Sequence, residues 1–404
     1  MSQHSDPDDG QYRLLFAVKL WALLATGIAT VELSLIAHSV AGTDSSALLG
    51  TALSLKSLAY VVVPLLTAAI FAKLPRGRFL VALDLVRAGA LASLTVASGE
   101  FAFLAAITVF LMASAAHSIA YLEYVSHLLP DREDFARAMS KSRIADELSG
   151  VVAPLAAAGL LLLLPIDGVL LLAAAVFAAS ALRIALAGLP DLSGAQPGDK
   201  ARRVLGGLRM YAARAELRPL VWLMVAVAAG TAMVMTTTPY LVQSVSGQDS
   251  TSAAIAFGAF GAGAILGALI HLRLPPRLAG RPEMVLGSVV IAAALLAGIG
   301  ATRFGTILTL WALIGVGVSL VQMPAAEIIR KAGETEGLLV AFGGSLAMQN
   351  AILVMAYAMA GGIATGFGPT AAFATMGGLA ALAVILARAG GPHLARPAPA
   401  GRHR

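Results

Sequence analysis

Two charged residues of opposite sign lie inside apolar segments near the amino terminus, Glu32 in the first segment and Lys56 in the second. A charged side chain inside a bilayer costs several kcal/mol on insertion scales, so each is a candidate for ion or substrate binding. In antiparallel helices both would lie roughly 12 to 15 Å below the same membrane surface. We therefore predict a buried Glu32–Lys56 pair whose protonation, or whose competition with a charged substrate, biases a conformational change. A static pair that only fixes helix packing is the alternative.

The other candidates for substrate or proton binding are polar side chains in later apolar segments. His117 lies two thirds of the way through the fourth segment, where an imidazole can titrate near neutral pH, bind a metal or form a hydrogen bond between helices. In the second half of the chain the candidates are uncharged: Gln322, Gln349 and Asn350. The charge of a central cavity would then come mainly from the first half.

Two further sets of charged residues lie near the cytoplasmic ends of segments three and four. Asp84 and Arg87 are spaced i, i+3, which predicts a pair on one helix face. Glu123 is placed to meet Arg76 or Arg78 as a gate at the inner membrane surface. Structural ion pairing and interfacial anchoring are the alternatives for both sets.

The segments that must position these residues are apolar along almost the whole chain. Its 404 residues are 58% hydrophobic and 12% charged, and the mean hydropathy is +0.84, far from the averages of soluble domains. Continuous apolar runs without alternation predict helices rather than a barrel. The sequence contains no cysteine, which excludes disulfides and thiol-based metal or iron–sulfur sites. No cofactor is predicted.

Hydropathy predicts twelve membrane spans in two sets of six. They cover residues 14–40, 46–72, 78–99, 101–125, 142–165, 168–188, 218–242, 249–272, 283–302, 305–329, 338–363 and 367–389. The predicted organisation is a tail (1–13), a six-helix bundle (14–189), a polar connector (190–217), a second six-helix bundle (218–389) and a second tail (390–404). Four glycines in span eight predict close helix packing rather than a nucleotide-binding loop: Gly258, Gly261, Gly263 and Gly267.

The distribution of lysine and arginine predicts the orientation, because these residues resist translocation. They concentrate in the tails, the connector and the loops after the even-numbered spans, which places both termini in the cytoplasm. We expect the first span to be retained, and the chain to reside in the cytoplasmic membrane of a bacterium. The net charge of +6 is then explained by topology, and no nucleic-acid partner is expected.

Two basic strings 200 positions apart, Lys73 to Arg78 and Arg273 to Arg277, predict that the halves arose by duplication. With twelve spans and a basic connector, the chain resembles the major facilitator superfamily over essentially its whole length. The resemblance implies a monomeric secondary transporter that exposes a midplane site for a small molecule or ion alternately to each side of the lipid bilayer.

Two family motifs have counterparts here. The loop after span two usually reads Gly-x-x-x-Asp-Arg-x-Gly-Arg-Arg in the family, and Ala72 to Arg78 occupies that place with a lysine at the aspartate position. The resemblance implies gating roles for these and nearby residues: Lys73, Arg76, Gly77, Arg78, Asp84, Arg87 and Glu123. The span-five motif of antiporters is represented by Gly150, Ala153 and Pro154, which favours export.

The first half also resembles nickel-resistance exporters of the superfamily, through Gly50 to Lys56, Val81 to Ala88 and Leu129 to Arg143. The sequence therefore predicts ion-gradient-coupled efflux of a small molecule, with nickel or cobalt export as the alternative and His117 as a metal-binding candidate. A membrane-embedded enzyme or a sensor without transport activity is a further, disfavoured alternative. The best cluster for catalysis, formed by His127, Asp131, Glu133 and Asp134, is typical of a solvated cytoplasmic loop, and a sensor would usually carry a soluble domain. The chain is not expected to be an enzyme.

Overall fold

The structure is a computed structural model that describes residues 7–70, 76–96, 99–129, 131–188, 200–214, 217–275, 277–336 and 338–389. These residues form twelve α-helices, together with a 3-10 turn at Gly42–Asp44 and a π-helical segment at Tyr240–Val245, and contain no β-strand. The all-α prediction is confirmed. Seven stretches of the described residues are helical, long and apolar enough to cross a membrane: 10–62, 100–122, 166–186, 218–245, 250–273, 304–329 and 343–389.

The first half contains six helices, each beginning or ending close to a predicted span: α1 (Pro7–Ala41), α2 (Ser45–Ile70), α3 (Arg76–Leu94), α4 (Glu100–Leu128), α5 (Arg132–Leu161) and α6 (Ile166–Leu186). The largest difference is at α5, which begins at Arg132 rather than at residue 142. Its first ten residues include five charged ones but no glycine or proline, so helix propensity extends the helix where hydropathy predicts no span.

The second half begins with a helix that the sequence did not predict, α7 (Lys200–Ala213), inside the segment interpreted as a connector. The helices that follow are α8 (Arg218–Pro239), α9 (Ser250–Arg273), α10 (Arg281–Ala297), α11 (Phe304–Glu336) and α12 (Leu338–Ala389). Asp249 caps α9 by accepting a hydrogen bond from the backbone N–H of Ser252 at 2.8 Å. Hydrogen bonds from the Ser252 hydroxyl and N–H lower the pKa of Asp249.

Spans eleven and twelve, predicted as separate helices, belong to the single helical run α12. The run turns at Gly368, whose φ and ψ of 83° and 166° are not helical, and continues with Pro369. A positive φ favours glycine, and the residue before a proline is biased away from helical angles. One residue therefore replaces the loop predicted between the two spans.

Two core clusters are confined to the first half, a third extends from the second half into the first, and the halves meet along two seams. In the first half α1 packs against α5 and α6, and α3 packs against α4 and α6. In the second half α8 and α10 pack against α12, and α9 packs against α11. The predicted close packing of span eight is confirmed, since a Cβ at Gly267 would lie 2.6 Å from the carbonyl oxygen of Val316 in α11. The seams between halves are α2 with α12 and α5 with α9.

The helix bundle has two ends, which we name by their residues. The Gly42 face contains the turn Gly42–Asp44 between α1 and α2, and the connector face contains α7. Near the Gly42 face, α8 runs into the π-helical segment after Pro239, which has no N–H to donate to the preceding turn. The buried Trp311 indole donates to the Thr238 hydroxyl at 2.8 Å and links α11 to this bend.

Candidate functional site

Glu32 is a buried carboxylate for which the described residues supply no hydrogen-bond partner. The residue is 0% exposed, and neither carboxylate oxygen accepts a hydrogen bond from any described residue. Its neighbour Val31 belongs to the core cluster that continues into the second half, whereas Leu33 belongs to a core cluster confined to the first half. Glu32 therefore lies on α1 at the edge between the face toward the second half and the face toward its own half.

The predicted ion pair between Glu32 and Lys56 is not formed, and this prediction was wrong. Lys56 is partly buried on α2, and within the described part of the chain no ion pair or hydrogen bond joins it to Glu32. Similar depth on adjacent helices was a necessary condition but not a sufficient one, because the rotation of each helix decides which way a side chain points. The first half thus contains an unpaired carboxylate and a separate ammonium group.

The uncharged candidates of the second half lie on α11 and α12. Gln322 is partly exposed on α11, Gln349 is partly exposed on α12, and Asn350 is buried. The amide of Asn350 donates to the carbonyl oxygen of Leu346 on its own helix at 2.9 Å. Gln349 lines a small pocket between α7, α8 and α12, whose other walls include Tyr211 and Met224. Within the described residues no hydrogen bond joins Gln322, Gln349 or Asn350 to Glu32, and their role in binding stays a prediction.

Asp84, Arg87 and His117 form a buried cluster with Ser180. The predicted pair is confirmed as a contact: the Arg87 guanidinium donates to Asp84 Oδ1, and Ser180 on α6 donates to Asp84 Oδ2. His117 on α4 places its Nε2 atom 3.4 Å from Asp84 Oδ1. The guanidinium carbon lies 4.3 Å from the ring centre of Phe177, a distance typical of a cation–π contact.

This cluster stabilises the packing of α3 against α4 and α6. We expect Asp84→Asn to lower the free energy of unfolding by about 3–5 kcal/mol, because the buried Arg87 would lose its counterion. The measurement is thermal or denaturant unfolding of the purified protein. The matched control is Asp134→Asn, which removes the exposed pair with Arg137 at 3.6 Å and is expected to cost less than about 1 kcal/mol. Equal stability of the two variants would contradict a structural role for the cluster.

The gating candidates fall partly outside the described residues. Lys73 lies outside them, as do the side chains of Arg76 and Glu123, so the predicted inner gate stays a prediction. Gly77 is partly buried and Arg78 is exposed at the beginning of α3.

The span-five motif lies where α5 meets α1. Pro154 and Ala153 are buried inside α5, and a Cβ at Gly27 of α1 would overlap the methyl group of Ala153. Nothing described bears on Gly150. The small-residue face predicted for span five is thus used in close packing against α1.

The seam between α2 and α12 is tight near the Gly42 face. A Cβ at Gly361 would overlap the carbonyl oxygen of Ser46 and lie 3.0 Å from the Cα of Gly50. The Ser54 hydroxyl donates to the carbonyl oxygen of Val354 at 2.9 Å. The backbones of α2 and α12 are therefore in direct contact across the two halves, with few hydrogen bonds between their described residues.

Two more contacts join the halves at this end. The Ala47 N–H donates to the Thr365 hydroxyl at 3.0 Å. The ring of His38 at the end of α1 lies between the Ser45 hydroxyl, at 3.3 Å, and the Ser244 hydroxyl of the π-helical segment, at 3.4 Å. The two halves are closed against each other on the Gly42 face.

Sequence reasoning missed two contacts between titratable side chains of different helices. Lys19 on α1 lies 3.2 Å from Asp146 on α5, and its ammonium lies 5.1 Å from the ring centre of Tyr121 on α4. His271 on α9 lies 2.7 Å from the buried Glu283 on α10. Lysine within a predicted span was the signal that could have identified the first pair.

The described residues contain no group of three or more histidine, cysteine, aspartate or glutamate side chains that could hold a metal ion. In that part of the chain the only acidic neighbour recorded for His117 is Asp84. Metal binding at His117 stays a prediction, without a recognisable ligand set in the described residues.

Comparisons with known proteins relate the chain to transporters. Residues 15–297 match the model of the Major Facilitator Superfamily. No curated protein sequence matches. Among solved structures, a POT family transporter in complex with a thioalcohol conjugated peptide is similar with a TM-score of 0.71 and 10% identity, covering 94% of this chain and 95% of that chain. A mutant of the nucleoside transporter NupG is similar with a TM-score of 0.68 and 14% identity, covering 93% of this chain and 99% of that chain. A bacterial homolog to the human lysosomal transporter Spinster, in an inward-facing and occupied conformation, is similar with a TM-score of 0.66 and 12% identity, covering 96% of this chain and 97% of that chain.

At these low sequence identities the structural similarity shows a shared fold and no more. The resemblance of the first half to nickel-resistance exporters is not confirmed by the comparisons and stays a prediction.

Proposed function

Because the chain belongs to the major facilitator superfamily, we propose that it is a secondary active transporter that exports a small molecule across the cytoplasmic membrane in exchange for an ion. The family and the transporter structures with the same fold point to a transporter rather than an enzyme. The export direction is supported by the span-five sequence around Pro154.

Six spans are proposed in each half: α1 to α6 in the first, and α8 to α11 with the two segments of α12 in the second. The connector face is proposed to be cytoplasmic and the Gly42 face external. The support is the distribution of lysine and arginine, which is concentrated on the connector face.

The observation that carries the proposal is the closed seam between Gly50 and Gly361. Alternating access requires that the two halves separate on one side of the membrane while they close on the other. Glycine at the contact lets the two backbones approach closely, and few hydrogen bonds must break when they part. We interpret the structure as the state closed to the outside.

Glu32 is proposed as the coupling group. An ionised carboxylate that is buried without a partner is costly, and the cost is removed by a proton or by a bound cation. The net charge at such a carboxylate depends on whether a proton or cation is bound to it. Binding can therefore bias the equilibrium between two conformations, provided that the carboxylate interacts differently with its surroundings in each conformation. The position of Glu32 between the two halves supports this role.

The test of export is an accumulation measurement in cells that overproduce the protein, with nickel, cobalt and a panel of lipophilic cations as the compounds. We expect lower accumulation of one class of compound than in cells that produce the Gly361→Leu variant, in which the external seam cannot close. Lower metal accumulation would identify the nickel alternative as the substrate class. Equal or higher accumulation of every compound, relative to the variant, would contradict export.

A further inference from the structure

Polar side chains from four helices converge inside the first half, next to the cluster of Asp84 and His117 along α4. We call this group the Lys19 cluster; it consists of Lys19 on α1, Tyr60 on α2, Ser118 and Tyr121 on α4, and Asp146 on α5. Asp146 holds Lys19 symmetrically, with its two oxygens 3.2 and 3.3 Å from the ammonium. The Tyr60 hydroxyl lies 3.4 Å from the Ser118 hydroxyl, and the ammonium of Lys19 lies 5.1 Å from the ring centre of Tyr121.

The cluster is accessible on one side only. The side chain of Asp146 is 45% exposed, whereas that of Lys19 is 15% exposed and Tyr121 is 5% exposed. Ser118 is exposed although it lies well inside α4, and Tyr60 approaches it from a neighbouring helix. The cluster is therefore accessible from the side of the carboxylate, and the ammonium of Lys19 lies behind it.

We propose that the Lys19 cluster binds a small zwitterion, whose ammonium group takes the place of Lys19 on Asp146 and whose carboxylate takes the place of Asp146 on Lys19. This inference rests on the proposed function, since it assigns the substrate class of the transporter. The Tyr60 hydroxyl adds a donor for the carboxylate, whereas the Ser118 hydroxyl donates to the carbonyl oxygen of Ser114 at 3.0 Å and can accept from the ammonium group.

A zwitterion is favoured over a singly charged molecule because the exchange leaves no charge unpaired. Breaking a partly hydrated ion pair costs little, typically below about 1 kcal/mol. An anion that took Asp146's place would leave that carboxylate without its ammonium, and a cation on Asp146 would leave the mostly buried Lys19 without a counterion, which is the expensive outcome. The face of Tyr121 stabilises the ammonium of Lys19 while the pair is open.

The experiment measures ligand-dependent thermal stabilisation of the purified full-length protein. The probes are glycine, 4-aminobutanoate and 5-aminopentanoate, which differ in charge separation, with butanoate and butylamine as singly charged controls. We expect at least one zwitterion to raise the midpoint of unfolding in a concentration-dependent manner, and the controls to have no effect at the same concentrations. Stabilisation by butanoate or butylamine as strong as by the zwitterions, or no stabilisation by any of the three zwitterions, would overturn the proposal.

Variants locate the site. Asp146→Asn and Lys19→Gln are each expected to weaken the affinity about tenfold or more, whereas Asp134→Asn, on the exposed part of the same helix α5, leaves it unchanged. Because Asp146 is half-exposed, Asp146→Asn decides the matter if Lys19→Gln does not fold. Unchanged affinity in Asp146→Asn would overturn the assignment.

Binding and transport measurements on the same protein distinguish a failure of this inference from a failure of the proposed function. If the zwitterion binds through Asp146 but is not transported, the transporter assignment fails and the site stands. If transport of some compound is detected but no zwitterion competes with it or binds, the site fails and the transporter assignment stands.

Discussion

Replacing Gly361 by leucine is expected to abolish transport and to hold the Gly42 face open. The first carbon of the new side chain would overlap the Ser46 carbonyl oxygen and crowd the backbone of Gly50, so α2 and α12 could no longer close against each other. We expect transport of the compound identified by the accumulation test to fall by about tenfold or more, since the closed state would be disfavoured by more than ~1.4 kcal/mol. The measurement is initial-rate transport in cells or vesicles.

Gly362→Leu is the matched control for this prediction. Gly362 is the next residue on the same helix, is exposed, and has no atom within 4 Å of the position of a Cβ. The chain contains no cysteine, so Ala47→Cys with Thr365→Cys can report closure by disulfide cross-linking. We expect cross-linking in the otherwise unchanged protein and in Gly362→Leu, and its loss in Gly361→Leu. Transport by Gly361→Leu at the unmodified rate would disprove the role assigned to the seam.

Replacing Glu32 by glutamine is expected to abolish ion-coupled transport without lowering stability. Glutamine has the shape of the protonated acid but cannot exchange a proton or attract a cation, so the coupling free energy, typically about 1–3 kcal/mol, would be lost. A reduction of transport by about tenfold or more is the expected result. Because the carboxylate of Glu32 has no hydrogen-bond partner in the described part of the chain, no bond to those residues is removed, and the thermal unfolding midpoint should be unchanged or higher.

The combination of the two readouts distinguishes coupling from packing. A structural Glu32 would give a less stable variant, with transport reduced only in proportion to the amount of folded protein. The control is Glu100→Gln, which changes an exposed glutamate at the first residue of α4 and should affect neither readout. Ion-dependent transport by Glu32→Gln at the normal rate would remove Glu32 from the mechanism.

The fold was predictable from the sequence because hydropathy responds directly to the cost of burying polar groups in lipid. Helix boundaries that depend on helix propensity and packing could not be predicted from hydropathy. The polar start of α5 at Arg132 and the connector helix α7 are helical for reasons of propensity and packing, which leave no hydropathy signal. The turn at Gly368 was missed because one glycine with a positive φ can replace a loop.

The candidate site was predictable in its residue types but not in its contacts. Glu32 and Lys56 were recognised as charged residues within apolar segments, although Lys19 was not, and the i, i+3 spacing of Asp84 and Arg87 predicted their contact because both lie on one helix. The Glu32–Lys56 pair failed because contact between different helices depends on their rotation and crossing angle, which the spacing along the chain does not contain. For the same reason Lys19 and Asp146, which are far apart in sequence, could not be matched.

The turn at Gly368 has a mechanical consequence for the second half. It joins the two segments of α12 without slack, and it lies about two helical turns or less from both Gly361 and Phe373. The ring of Phe373 packs 5.9 Å from that of Trp311 in α11 and occupies the space beside Gly298 at the end of α10. A displacement of α12 at the seam is therefore transmitted to the core of α10 and α11. The contact at Gly361 and the interior of the second half must then move together as a rigid body.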